Sequence, residues 1–158
     1  MDWRRFAVWA ETKLWNWLAL NKVTDIEHTE GNSSDVGEAV ARVLDERNMD
    51  TDIEWVWLDA TYVLPSKVPP WVDAVVDLLP YRPERFDCED YSFLYKTMAA
   101  LFLGVNAVGV VIDWSGGHAY NIVVTSVGHV HFVEPQNGEL VHVGKEEIYE
   151  FDRVLIII

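Results

Sequence analysis

The chain has 158 residues, half of them hydrophobic, enough for one domain with a substantial core and too few for two. Its 12 basic and 26 acidic side chains give a formal charge of -14 with Lys and Arg scattered, which disfavours nucleic acid and anionic membranes and favours cationic partners such as amines or Lys-rich peptides. A single cysteine excludes an internal disulfide and a Cys-based zinc framework, and no run reads as a signal peptide or a membrane span, so a cytoplasmic protein without cofactor or metal is expected.

In chain order, Trp3, Phe6, Trp9, Leu14, Trp17 and Leu18 fall near helical spacing, with Arg4, Arg5, Glu11 and Lys13 between them. The pattern predicts an aromatic amphipathic helix packed across the domain. After the loop EHTEGNSS, Ser34 is placed to cap a helix running through Val36, Val40, Val43 and Leu44. DIEWVWLDATYVL predicts a strand or extended segment, and PPWVDAVVDLL a short helix with prolines at its start. Asp87 then caps a helix that carries Cys88 and ends at Leu103-Gly104. VNAVGVVID, HAYNIVVTS, HVHFVEP and DRVLIII read as four strands, the last three close enough for antiparallel pairing. The fold class is α+β: N-terminal helices and a Cys-bearing helix packed on a small antiparallel β-sheet. Residues 1–158 form one domain, 1–80 its helical N-terminal part and 81–158 its core.

Cys88 in the first turn of a helix faces unpaired N–H groups and the positive end of the dipole, which stabilise a thiolate. Glu89 and Asp90 act against this by like charge, so an imidazolium partner is required. His118 follows two glycines that let the backbone approach a neighbour closely. Glu134 ends the next strand where Pro135 breaks the ladder, and a hairpin between those strands brings it to the face of His118. A carboxylate there orients the imidazole and favours its protonated form. Asn137 is the rival orienter. His129 and His131 share a strand face, a placement more common for exposed histidines than for metal ligands.

The runs Cys88-Glu89-Asp90-Tyr91-Ser92, Leu103-Gly104-Val105, His118-Ala119-Tyr120-Asn121 and Glu134-Pro135 resemble, in order and spacing, the transglutaminase-like branch of the papain-like cysteine enzymes. The resemblance covers Asp87 to Gly138. It implies a transglutaminase-like or papain-like core, with Cys88 as nucleophile, His118 as general base and acid, and Glu134 as orienting carboxylate, where the family more often has Asp. The implied activity is cysteine-dependent acyl transfer, with hydrolysis of a peptide, isopeptide or other amide bond through a thioester preferred over transfer to an amine. A second oxyanion donor beside the Cys88 N–H is needed, and Trp71, Trp57, Tyr62, Gln136 and Asn137 are the secondary candidates; Gln136, the only Gln, lies downstream of the cysteine, unlike the papain arrangement. The implied partner is a peptide or protein substrate, basic or amine-bearing. The alternative is a catalytically inactive fold of that type acting as a protein-binding module through its Trp-rich N-terminal half.

Overall fold

The computed structural model describes residues 12, 26–70, 79–145 and 148–158. The amphipathic helix expected over the first twenty residues, apart from Thr12, and the helix expected over PPWVDAVVDLL, with Trp71, apart from Pro69, Pro70 and Leu79, lie outside the described residues.

Among the described residues the first strand is β1 (His28–Asn32), followed by α1 (Ser33–Arg47). Asn32, and not Ser34, caps α1: its side-chain oxygen accepts from the N–H groups of Ser34 and Asp35 at 2.8 and 3.2 Å, and the Asp35 carboxylate accepts from the Asn32 N–H in return. The helix starts two residues earlier than expected, so the unpaired first-turn donors fall within reach of the Asn32 amide oxygen and Ser34 is itself helical. Asn48 ends the helix in the left-handed conformation.

The single extended run expected over DIEWVWLDATYVL is two strands, β2 (Asp52–Val56) and β3 (Thr61–Pro65). They belong to different sheets: β3 pairs antiparallel with β1, and β2 pairs parallel with the C-terminal strand. Next come α2 (Cys88–Leu103), β4 (Val108–Asp113), β5 (His118–Val124), β6 (Val130–Val133), β7 (Leu140–Val141) and β8 (Arg153–Ile157). The main sheet has the order β2-β8-β4-β5-β6-β7 and is antiparallel except for the β2–β8 pair.

The expected α+β arrangement of helices on a small antiparallel sheet is therefore corrected. Among the described residues eight strands outnumber two helices, and the large sheet is six-stranded and mixed. Its size follows from burial on both faces. Tyr120, Ile122, Val124, Phe132, Val154 and Ile156 form one cluster with Val36, Ala39 and Val40 of α1, while Val108, Val123 and Val133 pack with Tyr91, Tyr95 and Ala99 of α2 on the other side. A sheet covered on both faces needs near-continuous apolar strands, which is the character of VGVVID and HAYNIVV.

The β4–β5 hairpin positions the residues of interest. Asp113, fully buried, accepts from Ser115 Oγ, Gly116 N, Tyr120 Oη and Phe151 N at 2.6–3.0 Å, tying the turn to the entry of β8. Gly116 sits where a Cβ would collide with the Ile148 carbonyl, and Gly117 has φ +66. The first is the close approach expected of the two glycines before His118; the left-handed backbone of Gly117 adds a second reason for glycine there. Gly116→Ala should cost about 1–3 kcal/mol, because the obstacle is backbone that cannot rotate away; urea unfolding measures it, and an unchanged midpoint would contradict the packing described.

Candidate functional site

α2 begins at Cys88 because Asp87 leaves the helical conformation as N-cap and the Asp90 carboxylate accepts from the Asp87 N–H at 3.3 Å. The Asp87 carboxylate is itself held by the Glu84 N–H at 2.7 Å, so the approach to the helix is fixed as well. Two buried contacts align α2 with the sheet: Asn121 Nδ2 donates to the carbonyls of Ser92, one turn after Cys88, and of Gly109, both at 2.9 Å. Asn121 lies three residues into β5 from His118, so the start of the helix and the start of the strand arrive at the same end of the sheet.

Cys88 is half-buried and donates to Glu89 Oε2 at 3.4 Å. His118 contacts Glu134 directly, Nε2 to Oε2 at 2.7 Å, with both side chains largely withdrawn from solvent. Burial opposes the imidazolium, but hydrogen bonding to Cys88 and Glu134 and the negative charge of each outweigh it, and the imidazole is pushed up to about 9. Glu134 is held below the usual carboxylate range. Burial works against this, and the bonds from His118, from the Tyr149 hydroxyl at 2.8 Å and from the Gln136 N–H at 3.1 Å overcome it. The arrangement is a charged imidazole–carboxylate pair beside a thiol at a helix start.

Gln136 thus meets the site through its backbone N–H. The Asn137 side chain pairs with Glu139 instead, donating from Nδ2 and accepting from the Glu139 N–H, so Glu134 and not Asn137 contacts the imidazole. Tyr62 is fully buried and donates to the Ile158 carbonyl, and Trp57 stacks on Trp55 at 4.5 Å, so both secondary candidates are engaged elsewhere. Donor atoms of Asp87, Cys88 and Glu89 come within 4.8 Å of one another, but the Asp87 carboxylate and the thiol already have the partners named above, a grouping that belongs to the helix start. Two residues escaped sequence reasoning. Tyr149 lies in an irregular segment with no local signal, and Asp113 ends a strand in the way many turn residues do.

No curated protein matches the chain. A solved structure, the "PSL1a-E64 complex", superposes with a TM-score of 0.54 at 21% identity, covering 80% of this chain and 50% of that one, so the two share a fold and this chain spans half the length of that structure. The family model for the ricin-type beta-trefoil lectin C-terminal domain matches residues 7–158. This match takes the place of the transglutaminase-like or papain-like assignment, which rested on motifs within a third of the chain. The expectations drawn from that assignment fall with it: a cysteine hydrolase, peptidase or transglutaminase acting by acyl transfer on a peptide substrate, and an inactive fold of that type used as a binding module. The chain belongs to the family of ricin-type beta-trefoil lectin C-terminal domains.

Proposed function

We propose that this domain belongs to a glycan- or protein-binding protein and holds a ligand of its own at the start of α2, where Cys88 meets His118 and Glu134. The observation that carries the proposal is the 2.7 Å His118–Glu134 pair set beside a half-buried thiol on a helix N-terminus. Burying an imidazole and a carboxylate is costly unless they pair, and perturbed titratable groups of this kind cluster at functional sites. The lectin family supports a role in binding, and the name of the neighbouring complex pairs a protein of this fold with E64. The sugar-recognising activity of the whole protein is part of the same proposal, since this chain spans half of that neighbour.

E64 should raise the Tm of the wild-type domain and shield Cys88 from iodoacetamide. Cys88→Ser should abolish the Tm shift, and His118→Gln should weaken the shielding of the thiol by E64, since the imidazole is part of the proposed site. If E64 neither stabilises the protein nor shields the thiol, the proposed site is wrong.

The charged pair has a second consequence, in stability. Because His118 is raised from 6.5 to about 9, its contribution is complete below about pH 6.5 and is lost as pH rises through about 9. Glu134, held low, contributes above its ordinary value near 4.5 and loses that contribution as pH falls through its lower native value. The Tm difference between wild type and His118→Gln should thus be greatest around pH 5.5–6.5 and shrink toward pH 9.5. A difference that stays constant over this range would contradict the pairing.

A further inference from the structure

Glu134 is 6% exposed, so the protein must supply the donors that water would otherwise give its carboxylate. Oε1 takes the Gln136 N–H, and Oε2 takes two donors, His118 Nε2 at 2.7 Å and Tyr149 Oη at 2.8 Å. We infer that Tyr149 is a positioning residue of this site, whose hydroxyl fixes the Glu134 carboxylate against His118 and so sets the lower pH limit at which the charged pair survives. The inference deepens the ligand-site reading and rests on it for its functional meaning.

The hydroxyl is aimed by structure that does not depend on it. The Tyr149 ring packs edge-on against His118 at 5.5 Å and Tyr120 at 5.2 Å, and the backbone is held on either side by the Gly144 N–H bonded to the Tyr149 carbonyl and by Phe151 N bonded to Asp113. Tyr120, its nearest phenol, donates to Asp113 at 3.0 Å, so two packed tyrosines serve two buried carboxylates with one hydroxyl each. Among the described residues the groups facing Glu134 are His118 from β5, Tyr149 from the segment before β8 and the Gln136 N–H of its own turn, with Cys88 of α2 acting through His118.

A donor to the ionised form favours that form, so removing it moves the carboxylate toward protonation. Once Glu134 takes a proton, the ion pair is gone and the His118 imidazolium is left without its carboxylate partner. The sign is definite: without the hydroxyl, the acid limit moves up in pH.

The test is carboxyl titration of carbon-13 glutamate in the intact chain, wild type against Tyr149→Phe, with Glu134 assigned by Glu134→Gln. The Glu134 midpoint should rise by about one pH unit, the scale of one hydrogen bond to a charged group. A midpoint unchanged in a folded Tyr149→Phe protein overturns the inference, since a purely packing role for the ring would leave it there. Should that variant fail to fold, the wild-type chain carrying fluorinated tyrosine answers the question: the more acidic phenol should move Glu134 downward, and an unmoved midpoint counts against the inference. The readout is independent of E64, so a Glu134 shift without E64 protection would sink the ligand reading while upholding the role of Tyr149, and the reverse would do the opposite.

Discussion

A carboxylate removed from water stays ionised only if donors replace the water, and Glu134 has three of them. With the charge retained, a partly buried imidazole that bonds both Cys88 and Glu134 becomes protonated, although burial alone would drive it the other way. The thiol at the start of α2 thereby acquires a cationic neighbour in a helix turn already crowded by Glu89 and Asp90. Remove the carboxylate charge and each of these steps reverses in turn, which makes the three-donor cradle of Glu134 the constraint on which the site depends.

The fold exists around that constraint in a specific way. Two covered sheet faces supply a rigid platform, and Asp113 joins the β4–β5 turn to the entry of β8, so that the His118 end of one strand and the Tyr149 segment cannot drift apart. Asn121 carries the same logic to the helix by hydrogen-bonding Ser92 and Gly109. Asp113 and Asn121, among the most deeply buried polar side chains, each register one element on another. In a platform of Val, Ile and Tyr, side chains that demand partners allow fewer alternative packings than apolar ones.

Local patterns were legible in the sequence, and distant pairings were not. The Asp87 cap, the Gly104 stop, the paired glycines and the HAYNIVV–HVHFVEP hairpin each depend on residues within a few positions of one another, so Cys88, His118 and Glu134 could be named from the chain alone. The parallel pairing of Asp52–Val56 with Arg153–Ile157 joins segments about a hundred residues apart, and nothing local encodes it. Tyr149 was invisible for a similar reason: its role depends on a carboxylate 15 positions away and on a turn without periodicity. Motif order within a third of the chain pointed toward a transglutaminase-like enzyme, whereas the match over residues 7–158 places the chain in a lectin family. A thiol, an imidazole and a carboxylate in sequence order describe an electrostatic arrangement, and the same arrangement can serve more than one biological purpose.

The site turns on His118 being a partly buried cation held by the sulfur of Cys88 and by Glu134. Nitrogen-15 NMR of the His118 ring across pH 5–10 measures this without reference to any ligand. The midpoint should lie near 9, with both ring nitrogens protonated at neutral pH. A midpoint at or below the 6.5 of a free imidazole would mean that burial outweighs pairing, and the charged site described here would not exist.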